Sequence, residues 1–225
     1  MNEYASTLAE IFAEVLRVLR PSGTAFLNLG ETYVAKRAQL VPQRVALALS
    51  ESGWVIRNEI IWIRTNVRPE SAKDRLTNAT EVVLFITKQP SGYYFNPAPL
   101  REPAEWNHWG RQTSQKARAL ASGGSWQSAD PDRRASLAQT KSRHPRNVWS
   151  FPCEHRPNAG LAPYPEELPR RSLLLGCPQG GLVLDPFAGT GTTLLVAQRL
   201  GLRAVGIDCD PEAVAEMRRR LGAIA

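Results

Sequence analysis

The distribution of apolar positions divides the chain into alternating helical and strand-like segments. Near the start, apolar residues recur at helical spacing on one face, and Pro21-Ser22-Gly23 ends this helix. The same pattern predicts strands at residues 24–29, 54–63, 81–87, 182–184 and 203–207, and helices that begin near Pro42, Pro165, Thr192 and Pro211. Strands that alternate with helices in this way predict an α/β fold.

One β-α-β unit, residues 181–210, carries the clearest chemical signal, and it reads GLVLDPFAGTGTTLLVAQRLGLRAVGIDCD. Its first strand ends in Asp185 and its second strand ends in Asp208, with a turn rich in Gly and Thr before the helix. In open α/β sheets, ligands bind outside the carboxyl ends of the strands. Gly189 and Gly191 lie where a backbone can approach a ligand closely and where a helix N-terminus offers free N–H groups.

The spacing of this turn separates three kinds of nucleotide site. A phosphate-binding P-loop needs Lys after its last Gly, but Gly191 is followed by Thr192 and Thr193. A dinucleotide site needs a third Gly where this chain has Leu194. Asp208 is placed to accept hydrogen bonds from a ribose diol. A ligand with a ribose and no phosphate, such as S-adenosylmethionine, fits the pattern; the alternative is a buried β-α-β unit whose turn binds nothing.

Composition narrows the function classes only moderately. The 225 residues suit one domain with a smaller insertion. The net charge of +7 and the pI near 9.7 favour a polyanionic partner, although a basic surface without such a partner would explain the same charge. Cys153, Cys177 and Cys209 form no C-x-x-C pair, so we expect no disulfide framework, no metal site and a reducing, cytoplasmic environment. We expect no membrane segment, because no apolar run reaches about 18 residues.

Residues 101–146 differ in character from the rest of the chain. They contain nine Lys or Arg against four Asp or Glu, together with Trp106, Trp109 and Trp126. Basic residues interleaved with aromatic rings are typical of nucleic-acid surfaces, because the charges bind phosphate and the rings stack on bases. A solvated insertion without a partner is the alternative for this segment.

The segment DPFAGTGTT resembles the cofactor motif of the DNA methyltransferases that act on exocyclic amino groups. Three further segments resemble the same family in the same order, namely VLRVLRPSGTAFLNLGETY, RPESAKDRLTNATEVVLFITK and NVWSFPCEHRPNAGLAPYPEELPRRSLLLGCPQGG. The resemblance extends over most of the chain and is weakest between residues 103 and 145.

This resemblance implies a Rossmann-like, S-adenosylmethionine-dependent methyltransferase sheet with helices on both faces. Residues 1–100 and 147–225 would form the methyltransferase core, and residues 101–146 would be an insertion that recognises the target. The implied activity is site-specific transfer of a methyl group from S-adenosylmethionine to cytosine N4 or adenine N6. The implied partners are double-stranded DNA and a cognate restriction endonuclease.

The resemblance also implies which residues form the sites. Asp185 would face the ammonium of the methionine part, Phe187 would line the pocket and Asp208 would hold the ribose. The full set of expected cofactor-binding residues is Asp185, Pro186, Phe187, Ala188, Gly189, Gly191, Thr192 and Asp208, with Gly30 and Glu31 as weaker candidates. The expected DNA-binding residues are Arg64, Arg68, Lys73, Arg75, Trp106, Arg111 and Arg143.

Two departures from the family pattern affect these expectations. First, the family usually has Glu where this chain has Asp208. Second, the family's catalytic tetrapeptide, Asp or Ser followed by Pro-Pro-Tyr, is absent from this sequence. Because that motif is absent, no catalytic residue is assigned. The strand that carries this tetrapeptide would precede the first helix, and we therefore expect an N-terminally shortened chain. Its sheet should lack a central strand, leaving unpaired backbone and apolar surface beside residues 182–184. There are two alternatives. The chain could be an inactive remnant that binds cofactor or DNA or is completed by another chain, or it could be a methyltransferase for another amine.

Overall fold

The computed structural model describes residues 2–103, 142–154 and 165–222, which divide into two compact units. The larger unit comprises residues 1–96 and 146–225, and the smaller comprises residues 97–145. The larger unit begins with α1 (Asn2–Val18), β1 (Thr24–Leu29), β2 (Tyr33–Val34), β3 (Arg37–Ala38), α2 (Val41–Glu51), β4 (Val55–Arg64) and β5 (Thr80–Thr87). The described parts of the smaller unit are a 3₁₀ turn (Ala98–Leu100) and the antiparallel pair of β6 (Glu102–Pro103) with β7 (Ser142–Arg143). The larger unit then continues with β8 (Val148–Phe151), α3 (Glu167–Gly176), β9 (Leu182–Asp185), α4 (Thr192–Arg199), β10 (Arg203–Gly206) and α5 (Pro211–Gly222).

A four-stranded mixed sheet forms the first half of the larger unit, with the strand order β1-β5-β4-β8. β5 runs antiparallel to both of its neighbours, and β8 runs parallel to β4. Helices α1 and α2 pack on one face, because their apolar stripes meet the alternate residues of β1 and β5 that point to that side. The buried residues of this layer are Ala5, Leu8, Phe12, Leu29, Val41, Val45, Leu49, Trp54, Leu84 and Ile86.

The opposite face of this sheet is aromatic and is covered by α3. Phe26 of β1 stacks on Phe85 of β5 with ring centroids 4.9 Å apart. The hydroxyl of Thr24 donates a 3.0 Å hydrogen bond to the carbonyl of Gly176, at the end of α3. A Cβ on Gly176 would lie 2.7 Å from the Phe26 ring, so the helix approaches the sheet this closely because that residue has no side chain. β1 therefore lies between α1 on one face and α3 on the other.

The second half of the larger unit is the β-α-β motif found in the sequence. β9 and β10 pair in parallel, from Leu182 opposite Arg203 to Asp185 opposite Gly206, and α4 connects them. Ala188, Leu194 and Met217 form the core between this turn, α4 and α5. The predicted α/β architecture is confirmed.

The two sheets do not join within the described residues. β1 and β9 each pair on one side only, and a cleft of about 1350 Å³ is lined by both strands. Leu182, Leu184 and Val205 beside the cleft are 60%, 37% and 48% exposed. In the part of the chain that the structure describes, no strand pairs with both β1 and β9. No helix in residues 2–103, 142–154 and 165–222 is long and apolar enough to cross a membrane.

Candidate functional site

The carboxylate of Asp185 stabilises the Gly-rich turn between β9 and α4 through two hydrogen bonds. Its Oδ1 accepts a 3.0 Å hydrogen bond from the backbone N–H of Phe187, and its Oδ2 accepts one of 2.5 Å from the hydroxyl of Thr193. The first contact shapes the turn and the second ties it to the first turn of α4. Asp185 therefore holds the end of β9 and the start of the helix in a fixed relation.

Two glycines give this turn its path. Gly189 and Gly191 have φ angles of +50° and +81°, the left-handed region that disfavours residues with a Cβ. A Cβ on Gly191 would lie 2.5 Å from Cγ of Met217, so α5 packs directly against that backbone. A Cβ on Gly189 would meet no atom within 4 Å. The backbone at Gly189 thus borders open space in which a ligand could approach it.

Asp208 at the end of β10 supports the same turn from the other strand. Its Oδ2 accepts a 2.7 Å hydrogen bond from the N–H of Gly189, and its Oδ1 accepts one of 2.9 Å from the N–H of Asp210. A carboxylate offers about four lone-pair sites, so Asp208 retains acceptor capacity toward a neighbouring diol. Asp210 in turn accepts the N–H of Glu212 and caps α5.

Arg220, in the last turns of α5, contacts the Gly-rich turn, and sequence reasoning missed this contact. The sequence favoured a solvated role for Arg218, Arg219 and Arg220 on the helix surface. The structure corrects this for Arg220, whose Nη1 donates to the carbonyl and hydroxyl of Thr190 at 2.6 and 2.9 Å. Arg220 therefore fastens the Gly-rich turn to the last helix. In the sequence, Arg220 is recognisable only as a cation on a helix face. Its contact could not be predicted, because the loop that it binds lies thirty residues earlier in the chain.

The chemistry of this turn fits S-adenosylmethionine. Two carboxylates lie at neighbouring strand ends, as an ammonium group and a ribose diol require, and the ring of Phe187 is 47% exposed for contact with an apolar group. Residues 185–192 contain no Lys or Arg with which to bind phosphate. Asp185 and Asp208 are thus suited to a ligand that carries a positive charge and a sugar but no phosphate.

Two of the predicted cofactor residues, Ala188 and Thr192, contribute mainly to the frame of the site. Ala188 and Thr192 are 5% and 4% exposed, and the N–H of Ala188 donates to the carbonyl of Ile207. Pro186 also lines the cleft beside Asp185. For Ala188 and Thr192, the buried side chains leave only the backbone to meet a ligand.

The weaker candidates, Gly30 and Glu31, lie at the carboxyl end of β1. Glu31 Oε1 accepts the N–H of Thr32 at 2.8 Å and of Val41 at 3.4 Å, and its Oε2 accepts that of Leu40 at 2.9 Å. This carboxylate therefore caps the start of α2. Its predicted contact with the cofactor stays a prediction.

Two of the predicted DNA-binding arginines are committed to internal contacts. Arg64 forms a 3.3 Å ion pair with Glu81, and its side chain is 22% exposed. Arg75 pairs with Glu70 and lies 3.9 Å above the ring of Tyr33. These contacts fix the loop between β4 and β5.

The other basic candidates are distributed differently. Arg68 and Lys73 are exposed on the loop between β4 and β5 and stay available for an anionic partner. Arg143 lies on β7 of the smaller unit, where it pairs with Glu102 at 2.9 Å. Trp106 and Arg111 lie outside the described residues.

Burial raises the pKa of the Cys153 and Cys177 thiols, so both are protonated at neutral pH. A protonated thiol is a poor nucleophile. Neither of these cysteines is suited to form a covalent intermediate.

The parallel β-α-β unit, its two strand-end carboxylates and the open Gly-rich turn have the arrangement expected for the cofactor half of a Rossmann-like, S-adenosylmethionine-dependent methyltransferase. The sequence model of the DNA methylase family, the N6/N4 methyltransferases, matches residues 1–219. The chain belongs to this family, and the predicted class of enzyme and its cofactor are confirmed.

Known relatives of this chain are Type II methyltransferases. It is 29% identical to M.SmaI of Serratia marcescens over 98% of this chain and 75% of that protein. It is 30% identical to M.Cfr9I of Citrobacter freundii over 95% of this chain and 70% of that protein. The similarity thus extends across the segment from residue 103 to 145, where the family resemblance was weakest.

Solved structures agree with the family. A Thermus thermophilus protein described as a DNA modification methylase, complexed with S-adenosyl-L-methionine, matches with a TM-score of 0.62 and 26% identity over 98% of this chain and 77% of that one. The cytosine-N4-specific PvuII DNA methyltransferase matches with a TM-score of 0.70 over 97% of this chain and 70% of that one. Its 19% identity supports the shared fold alone.

Proposed function

We propose that the turn at residues 185–192 and Asp208 form the cofactor site of this DNA methyltransferase. The observation that carries the proposal is the position of the Asp208 carboxylate, which is held by the N–H groups of Gly189 and Asp210 beside the open side of the turn. Asp208 would accept the ribose hydroxyls, Asp185 would attract the ammonium group, and Phe187 would contact the adenine or the methionine chain.

S-adenosylmethionine, when bound, supplies an electrophilic methyl group for transfer to an amine of DNA. The residues of this chain would contribute position and electrostatics. Asp185 and Asp208 would fix the ends of the ligand, Arg220 would hold the turn in place through Thr190, and Phe187 would exclude water from one side. No group of this sequence is assigned to bind the target amine, because the family tetrapeptide does not occur in it.

Calorimetric titration with S-adenosylmethionine tests the cofactor site. Asp208→Ala removes the proposed ribose acceptor, and a hydrogen bond to a charged group contributes about 1.5–3 kcal/mol, so affinity should fall by about tenfold to a hundredfold. Asp210→Ala is the matched control, since it removes a carboxylate two residues away that caps α5 instead. A folded wild-type chain that does not bind, or an Asp208→Ala chain that binds normally, would overturn the assignment.

We propose that DNA phosphate is contacted by the exposed Arg68 and Lys73, and that residues 101–146 recognise the target sequence. The loop that carries Arg68 and Lys73 follows the carboxyl end of β4, and its base is fixed by the Arg64–Glu81 ion pair. The high content of Arg, Lys and Trp in residues 101–146 supports their role. Arg143 would act from β7, where it is ion-paired in the free protein.

The salt dependence of DNA binding tests this surface. Removal of one phosphate contact lowers the slope of log affinity against log salt by about 0.9, so Arg68→Ala with Lys73→Ala should lower it by about 1.8. Arg17→Ala, which removes an exposed cation paired with Glu14 on α1, should leave the slope unchanged. An unchanged slope in the double variant would remove this loop from the interface.

We propose further that the enzyme acts in the cytoplasm beside a cognate restriction endonuclease. The relatives named above are Type II methyltransferases, which supports a role in restriction and modification. Expression of an active form should protect plasmid DNA against one endonuclease in a panel. Mass spectrometry of the digested nucleosides would identify the methylated base as N4-methylcytosine or N6-methyladenine.

A further inference from the structure

The loop between β4 and β5, residues 65–79, carries the most exposed large apolar side chain among the described residues. Leu76 in this loop is 90% exposed, whereas the next most exposed, Leu47 on α2, is 65% exposed. A single apolar side chain on a protein surface is common and needs no explanation by itself. Leu76 differs because the backbone around it is held in place and because the surrounding side chains are basic.

Contacts within the loop hold the backbone on both sides of Leu76. Arg75 forms an ion pair with Glu70, and its Nη1 donates a 3.1 Å hydrogen bond to the carbonyl of Leu76. The carboxylate of Glu70 also accepts the N–H of Asn78 at 3.2 Å. Residues before and after Leu76 are therefore tied to the same carboxylate. The apolar side chain extends into solvent from a backbone that is already ordered.

Two contacts join the loop to the hairpin of β2 and β3. The guanidinium carbon of Arg75 lies 3.9 Å from the centroid of the Tyr33 ring, and Lys36 Nζ donates a 2.9 Å hydrogen bond to Asp74. The ion pair between Lys36 and Asp74 is exposed and contributes little, so the stacked guanidinium gives the main support. A loop that is ordered before binding loses less conformational entropy when it meets a partner.

The surface around Leu76 is basic. Residues 32–38 and 65–79 together contain five Lys or Arg and two Asp or Glu, and both acids are ion-paired. Arg37, Arg68 and Lys73 are exposed. A protein interface is depleted of charged residues at its core. An apolar side chain among cations instead suits duplex DNA, whose phosphates attract the cations and whose stacked bases lie between the charged strands.

The loop extends from the edge of the sheet at which substrates bind in this class of fold. β1 and β4 both run antiparallel to β5, so their carboxyl ends lie at the same edge. The hairpin follows β1 and the loop follows β4, and both therefore extend from that edge. In open α/β sheets, ligands bind outside the carboxyl ends of the strands. A duplex that delivers a base to this edge meets the loop that carries Leu76.

We propose that Leu76 enters the base stack of the DNA and fills the space left by the base that is methylated. The inference rests on the proposed function, in which Arg68 and Lys73 of the same loop contact phosphate. An enzyme that acts on a base within a duplex takes that base out of the stack. Leucine is among the apolar side chains that proteins insert between base steps. By occupying the gap, Leu76 slows the return of the extruded base.

The test measures the binding of the full 225-residue chain to two pools of synthetic duplexes. Both pools have randomised central base pairs, so the recognition sequence need not be known, and one pool carries a single abasic position at the centre. The abasic duplex already has the gap that Leu76 fills. The wild-type chain should therefore bind the abasic pool at least about tenfold more tightly than the intact pool. Leu76→Ala should bind the two pools about equally.

Matched variants connect this preference to the apolar side chain at position 76. Leu76→Met keeps a large apolar side chain and should retain the preference. Leu47→Ala removes the same side chain from α2, where it is 65% exposed, and should also retain it. Leu76→Ala should leave Tm unchanged, because a side chain that is 90% exposed has little packing to lose. Its salt dependence of binding should equal that of the wild type, since leucine neutralises no phosphate.

Four outcomes would overturn the proposal. They are equal binding of the two pools by the folded wild-type chain, a preference that survives in Leu76→Ala, an equal loss of preference in Leu47→Ala, or a Tm several degrees lower in Leu76→Ala. The last outcome would show that another segment of the protein covers the side chain.

The salt dependence separates this proposal from the phosphate contacts on which it rests. An unchanged salt slope in the variant with Arg68→Ala and Lys73→Ala, together with a preference that depends on Leu76, would overturn the phosphate contacts alone. The expected fall in slope without any preference for the abasic pool would overturn the role of Leu76 alone. A folded wild-type chain that binds neither pool would overturn both.

Discussion

Replacement of Gly191 by alanine should destabilise the protein through two separable effects. The backbone at Gly191 has φ +81°, and a left-handed conformation costs a residue with a Cβ about 1–2 kcal/mol. The new Cβ would also lie 2.5 Å from Cγ and 3.3 Å from Cβ of Met217, which is 5% exposed and packed against Ala188 and Leu194. Overpacking of this kind costs about 1–3 kcal/mol.

Together these effects predict a loss of about 3 kcal/mol in the free energy of unfolding. For a chain of this length, 1 kcal/mol corresponds to about 2–4 °C in Tm, so Gly191→Ala should lower Tm by about 6–12 °C. Thermal denaturation followed by circular dichroism measures the shift. The same measurement with S-adenosylmethionine present reports whether the displaced turn still binds it.

A double-mutant cycle with Met217→Ala tests the steric part of this reasoning. Met217→Ala alone should cost about 2–5 kcal/mol, because it leaves a cavity. In that background the 2.5 Å contact is gone and only the Cβ of residue 217 remains, 3.3 Å away, so Gly191→Ala should cost little more than its conformational strain, about 1–2 kcal/mol. Additivity of the two changes within about 0.5 kcal/mol would refute the proposed clash.

Gly189→Ala separates stability from binding. Its φ of +50° imposes a similar strain, but the added Cβ meets no atom within 4 Å. We therefore expect a stability loss of about 1–2 kcal/mol and a fall in cofactor affinity of at least about tenfold, since the methyl group occupies the open side of the turn. Unchanged affinity would place the cofactor away from Gly189.

Three further variants examine single contacts. Arg220→Ala should weaken cofactor binding about tenfold in a calorimetric titration, because it removes hydrogen bonds to the Gly-rich turn. The control Arg219→Ala removes an exposed ion pair on the same helix and should leave cofactor binding unchanged. Glu31→Ala should lower the free energy of unfolding in urea by about 1–2 kcal/mol, since three N–H groups lose their acceptor. The hydrogen bond from Arg170 lowers the pKa of Glu167 below its ordinary value near 4.5, so this carboxylate stabilises the fold above that pH. The urea stability of Glu167→Gln should therefore fall below that of the wild type at neutral pH. The difference should begin to shrink near pH 4.5 and vanish only when the pH falls below the lowered pKa of Glu167 in the folded chain.

The sequence predicted the β-α-β unit well because its signals are local. The apolar runs, the glycines and the strand-end acids at Asp185 and Asp208 all lie within one continuous stretch. The contact of Arg220 with Thr190 was not predictable, because nothing near Arg220 in sequence indicates that α5 folds back on the turn.

Local rules also failed at the hairpin of β2 and β3. Its turn places Ala35 and Lys36 at φ +47° and +66°, where short-range signals would require Gly or Asn. The Glu31 carboxylate bonds to the N–H groups of Thr32 and Leu40 on either side of the hairpin. Contacts at the base of the hairpin thus override the preference of its turn residues.

Polar composition likewise did not reveal which arginines form internal ion pairs. Arg64 stands at the start of a polar loop and was expected to meet DNA, yet it pairs with Glu81. Glu81 also accepts a 2.7 Å hydrogen bond from Asn28 of β1. The three residues come from three strands, and only the sheet order brings them together.

The contact between Arg220 and Thr190 sets an order of events during protein synthesis. The Gly-rich turn is translated thirty residues before the arginine that fastens it. At about 5–20 residues per second, the ribosome needs roughly 2–6 s to add those residues. Through that interval the turn lacks the guanidinium that donates to the carbonyl and hydroxyl of Thr190.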